Sequence, residues 1–115
     1  MVGLLILRDK TLVSAGADGR VCKWLLDEED PLSFAIEAHT WAVTCLAYDG
    51  KSLVSGGEDG IKMWDVETGK FVRELSSGFR AAWTVAIDEE IIVTSVLRGN
   101  ECIMEVCFVF QIDLS

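Results

Sequence analysis

The 115 residues carry ten Lys and Arg against nineteen Asp and Glu, for a formal net charge of -9, and half of the chain is apolar. That charge repels the phosphates of nucleic acid and of anionic membrane, and it suits a basic partner surface better. The apolar half is enough for the core of one domain, and no stretch approaches the roughly 20 apolar residues of a spanning helix.

In chain order, the opening "MVGLLIL" has no basic flank and is too short an apolar run for a signal peptide, so a soluble protein of the cytoplasm or nucleus is expected. "LVSAGADGRVCKW", from Leu12 to Trp24, alternates apolar and polar residues around a turn and predicts two strands. The acidic "LDEEDP" that follows holds the only proline, Pro31, and is a solvated connection. Four short runs come next, "AVTCLAY", "SLVSG", "IKMWDV" and "FVREL", divided by the turn chemistry of "YDGK", "GEDG" and "ETGK". A last pair of strands flanks "DEE" at Asp88 to Glu90, which predicts a hairpin turn. No segment sustains a helical period, so the fold class is all-β.

The chain also repeats itself. "LVSAGADGRVCKW" returns as "LVSGGEDGIKMW" from Leu53 to Trp64, and again, more loosely, as "IIVTSVLRG" from Ile91. Leu12 to Leu53 is 41 positions, Trp24 to Trp64 is 40, and Leu53 to Ile92 is 39. A period near 40 with four short strands in each copy signals a repeat architecture. Cys22, Cys45, Cys102 and Cys107 sit inside the apolar runs without a CxxC pair, and a single histidine leaves too few converging ligands for a metal. They are expected to be reduced core residues, with no metal and no cofactor.

"HTWAVTCLAYDGKSLVSGGEDGIKMWDVETGKFVREL" resembles a WD repeat almost position for position. It has His39 in the loop between blades, Asp59 in a tight turn and the Trp64-Asp65 dipeptide, with Ala38-His39 in place of the usual Gly-His. The first copy keeps Ser14, Asp18 and Trp24, but Leu25 follows the tryptophan. The third keeps the strand pattern and loses both the aspartate and the tryptophan. The resemblance implies a fragment of a WD-repeat β-propeller with about three four-stranded antiparallel blades and an incomplete ring. The repeats span about 1–37, truncated at its start, 38–76, complete, and 77–115, degenerate. It implies a buried polar chain in which the Trp64 indole meets Ser55, Ser55 meets His39, and His39 meets Asp59. These groups come as a set, because each would be costly to bury alone. Ser, His and Asp also suggest a hydrolase triad, but the tryptophan donor makes the serine a structural link, and no nucleophile elbow is present. The protein is therefore expected not to be an enzyme.

The stretch "AAWTVAIDEEIIVTSVLRGNECIMEVCFV" is similar to the final blade of F-box/WD-repeat substrate receptors of cullin-RING ubiquitin ligases. It opens with a tryptophan, Trp83, and carries an insertion of about three residues, "GNE" at 99–101, which pairs Trp64 with Val106 as counterparts. Receptors of that kind hold a degron peptide, often phosphorylated, on the propeller's top face. Their phosphate-binding arginines match Thr44, Trp83, Glu58 and Ala17 here, none of which is basic. The top-face candidates are Trp41, Thr44, Glu58 and Trp83, with Arg80 in reach of the same face, an aromatic and acidic patch suited to a basic or apolar peptide. The alternative for either tryptophan is packing between blades. Two functions remain open: a protein-interaction scaffold resembling the F-box/WD propeller or serving another complex, and a truncated product without independent fold or binding activity. An incomplete ring also implies self-association through its open blade edges.

Overall fold

The computed structural model describes residues 2–88 and 91–108. The end of the third repeat, 109–115, and residues 89–90 of the DEE turn lie outside the described residues.

Three antiparallel sheets follow one another along the chain. The first comprises β1 (Val2–Arg8), β2 (Thr11–Gly16), β3 (Arg20–Leu25) and β4 (Leu32–Glu37). The second comprises β5 (Val43–Tyr48), β6 (Leu53–Gly57), β7 (Gly60–Trp64) and β8 (Phe71–Ser76). The third contains β9 (Ala81–Asp88), β10 (Ile91–Arg98) and β11 (Glu101–Phe108). Each sheet is a meander whose spatial order is its sequence order, which the short turns dictate. Asp9 and Lys10 adopt positive φ in the two-residue turn joining β1 to β2, matching the twist of a tight hairpin. Asp49 and Asp65 each accept two backbone N–H groups, from Lys51 and Ser52 and from Glu67 and Thr68, and so set the turns after β5 and β7. The first sheet has Leu25 where the second has Asp65. The backbone N–H of Leu25 bonds to Pro31 O at 2.7 Å, as that of Asp65 bonds to Lys70 O at 2.9 Å, but among the described residues no carboxylate sets the turn of the longer acidic loop.

The sheets stack face to face, and the alternation of each strand supplies both faces. Val13, Ala15 and Val21 of the first sheet pack against Val43, Leu53 and Trp64 of the second. Cys45, Val54, Ile61 and Met63, on the other face of the second sheet, pack against Ala82, Val85, Ile92 and Val96 of the third. The middle sheet is thus covered on both sides, and β6 is buried along its whole length. Cys45 is a free, buried core thiol, and burial raises its pKa to about 11. Cys22 is half-buried, whereas Cys102 is exposed.

Register modifies one sequence expectation. Leu53 pairs with Trp64, and its equivalent Ile92 pairs with Cys107, one residue beyond Val106. Arg98 and Glu101 flank a two-residue turn, as Gly57 and Gly60 do in the second sheet. The extra residues therefore lengthen both strands of the hairpin and do not form an inserted loop.

Candidate interaction face

The loops β4–β5 and β8–β9 and the turns β2–β3, β6–β7 and β10–β11 lie at one end of the sheets, and the candidate residues gather there. The β4–β5 loop is held by the buried polar chain. Trp64 Nε1 donates to Ser55 Oγ at 2.7 Å, Ser55 Oγ lies 2.8 Å from His39 Nε2, and His39 Nδ1 lies 2.7 Å from Asp59 Oδ1. An indole can only donate and a carboxylate can only accept, so Nδ1 carries the hydrogen shared with Asp59, and the lowered pKa of His39 leaves Nε2 bare to accept. Ser55 donates to Nε2, and Nδ1–H donates to Asp59, which is the neutral tautomer. The titration tendencies agree. Burial lowers the His39 pKa below 6.5 despite the neighbouring Asp59. Partial burial pushes the Asp59 carboxyl upward, but the hydrogen bonds from His39 and from the Thr40 N–H outweigh it and hold it at about 2. Ser55 is 0% exposed, so this serine, histidine and aspartate present no nucleophile to a substrate.

Three further contacts fix the same loop. The N–H of Thr40 donates to Asp59 Oδ2 at 3.1 Å, that of His39 donates to Gly19 O at 3.0 Å, and Lys62 Nζ bridges Ala38 O and Asp59 Oδ2. Gly19 must be glycine. Its φ is +80°, and a Cβ there would collide with the carbonyl of His39. Trp41 therefore projects, 59% exposed, from a backbone clamped between the β2–β3 turn with Asp18 and the β6–β7 turn with Glu58. Asp18 caps its own turn through the N–H of Arg20 at 3.1 Å, and both Asp18 and Glu58 are exposed. In the first sheet Trp24 Nε1 donates to Ser14 Oγ at 3.0 Å, the counterpart of the Trp64–Ser55 bond.

The other candidates lie on, or just before, the first strand of a sheet. β1, β5 and β9 each carry a bulge near their start, and the residues left out of register are Gly3, Thr44 and Trp83. Thr44 is exposed, yet its hydroxyl lies 2.7 Å from Ala82 O and ties β5 to β9 beside Trp83. Trp83 is 57% exposed. Arg80 donates from Nη1 to Gly99 O at 3.1 Å, against the β10–β11 turn. Among the described residues no cluster of His, Cys, Asp or Glu could hold a metal ion.

Sequence reasoning missed the clamp of the third sheet. Phe79 lies 40 positions after His39 and is buried, and Arg98 stacks over its ring at 5.9 Å. Arg98 makes an ion pair with Glu105 at 2.9 Å and donates to Ser77 O and Ser76 Oγ. A cation and a carboxylate thus hold this loop where a histidine and an aspartate hold the preceding one. The exchange leaves a residue of the old plan behind. Thr94 occupies the place of Ser55, and its buried Oγ1 has no hydrogen-bond partner.

A family model for the WD domain, G-beta repeat, matches residues 31–65. Residues 31–65 are a WD repeat. The segment contains the whole polar chain from His39 to Trp64, and the three sheets together form an open arc of WD-repeat propeller blades. The chain is 32% identical to Regulator of rDNA transcription protein 13 of Saccharomyces cerevisiae over 107 residues, 92% of this chain and 58% of that protein. It is 39% identical to Cell division control protein 4 of Candida albicans over 99 residues, 85% of this chain and 14% of that protein. The arc superposes with a TM-score of 0.83 on the computationally designed Ika4 protein, at 27% identity, covering 95% of this chain and 66% of the other. It fits the designed Ika8 protein with the same TM-score, covering only 33% of it. The chain thus spans between a seventh and two-thirds of the length of these relatives.

Proposed function

We propose that this chain is a non-catalytic protein-interaction scaffold of the cytoplasm or nucleus whose loop end binds a protein or peptide segment bearing basic side chains. The observation that carries this reading is Trp41, a largely exposed indole on a rigid loop between two turns that present Asp18 and Glu58. An indole face attracts a cation, and a clamped backbone spares the ordering cost of binding. Rigid presentation is what the buried chain from Trp64 to Asp59 contributes.

Similarity to Cell division control protein 4 extends the proposal to a receptor resembling F-box/WD substrate receptors. The positions that carry phosphate-binding arginines in such receptors hold Thr44, Trp83, Glu58 and Ala17 here, so these blades favour a basic segment over a phosphorylated one. Immobilised arrays of Lys/Arg-rich and phosphoserine peptides test this. The basic peptides should retain the chain, and Trp41→Ala should lose that retention at an unchanged unfolding midpoint. Retention by phosphopeptides alone, or indifference to Trp41→Ala, refutes it. The second reading, a product without independent fold, draws on the exposed Leu5, Leu7, Met104 and Val106. It predicts aggregation without a cooperative transition.

A further inference from the structure

We propose that two copies of this chain pair head to tail, the outward face of the first sheet of each copy packing on the outward face of the third sheet of the other. The surface differs from the loop end, and the inference does not depend on the basic-segment reading.

The chain already forms such an interface twice. Each sheet has two unlike faces. One carries Leu12 and Ser14 in the first sheet, Leu53 and Ser55 in the second, Ile92 and Thr94 in the third. The other carries Val13, Val54 and Val93 at the corresponding places. In both internal cores the valine face of one sheet meets the leucine face of the next: Val13 and Val21 against Leu53 and Trp64, then Val54 and Ile61 against Ile92 and Val96. Among the described residues one leucine face and one valine face are left over. On the first sheet, Leu5 pairs with Ser14 and Leu7 with Leu12, which puts Leu5 and Leu7 on the uncovered leucine face, 64% and 66% exposed. On the third, Met104 pairs with Ser95 and Val106 with Val93, which puts both on the uncovered valine face, 73% and 59% exposed. None of these cross-strand pairs contains a charged residue, in a chain of net charge -9.

The two leftovers are therefore the two halves of the interface found inside the chain. They cannot meet within one open arc of three sheets, but they can meet between two arcs. A contact between unlike faces closes into a ring when its rotations complete a circle, and two arcs of three blades make about six, inside the usual range of propellers.

Size-exclusion chromatography with light scattering on the 115-residue chain tests the pairing. The expected species has twice the 12.7 kDa mass of one chain. Leu7→Glu and Val106→Glu should each return it to a monomer with unchanged far-ultraviolet circular dichroism. Leu5→Glu and Met104→Glu provide a second variant on each face should either of the first pair misfold. An equimolar mixture of Leu7→Glu and Val106→Glu chains should regain a weaker pair, because one intact leucine face still meets one intact valine face. A wild-type monomer, with both faces free for other blades, overturns the proposal. So does a dimer lost in Leu7→Glu but indifferent to Val106→Glu, which would join like faces. Open-ended growth, or a mixture that stays monomeric, overturns it as well.

Discussion

Ser14 and Ser55 hold equivalent places in successive sheets and each accepts a bond from a tryptophan, so Ser→Ala at the two positions should separate by how many buried groups each change leaves unsatisfied. Ser55 is 0% exposed, and its loss strands both the Trp64 N–H and the Nε2 of His39, themselves 8% and 5% exposed. At about 1 to 3 kcal/mol for each buried group left unsatisfied, Ser55→Ala should cost about 2 to 6 kcal/mol. Ser14→Ala strands only the N–H of Trp24, a half-buried side chain that water can reach, and should cost about 1 kcal/mol or less. Urea unfolding followed by tryptophan fluorescence measures both. The Leu7→Glu background keeps the outward face of the first sheet in water throughout. Adding Trp64→Phe to Ser55→Ala should cost less than the sum of the two single changes, because it removes the stranded donor. Equal costs for the two serines, within about 0.5 kcal/mol, would refute the view that the buried chain holds the middle sheet to its loop.

The folded-state pKa of His39 is depressed, so its stabilising contribution is complete above the ordinary 6.5 and is lost as pH falls below that value; that of Asp59, also depressed, is complete above 3.8 and is lost as pH falls toward about 2. The unfolding midpoint should therefore fall in two separate acid steps, with His39→Gln flattening the upper and Asp59→Asn the lower, as thermal melts across pH 2 to 8 would record. Thr94→Val should raise stability by about 1 kcal/mol in urea unfolding, since it replaces a partnerless buried hydroxyl by a methyl of the same shape.

The strands were legible in the sequence because alternation and turn residues are local signals, and the period near 40 tied them into like units. The grouping of His39, Ser55, Asp59 and Trp64 was legible for a different reason: polar side chains bound for a core need one another, so a shared pattern betrays their meeting. The clamp of the third sheet was not. Arg98 and Glu105 are ordinary surface types, and they meet at Ser76 of the second sheet, a contact between sheets that no local pattern announces. The bulges at Gly3, Thr44 and Trp83 were hidden as well, since a bulge depends on what the neighbouring strand pairs with. For the same reason the extra residues near Gly99 looked like an insertion, when pairing shows a longer hairpin.

The row of bulges bears on how such a surface changes. A residue that faces no partner in the ladder adds little to the pairing of its strand, so its side chain can be exchanged at small cost to the sheet. The three blades have used this freedom differently, with a hydrogen at Gly3, a hydroxyl at Thr44 and an indole at Trp83. Only the hydroxyl has been recruited to join neighbouring sheets. Positions 3 and 83 thus form a pair of sockets in which chemistry can vary while the architecture stays constant, and a small library at those two sites would sample new ligands without first having to rescue the fold.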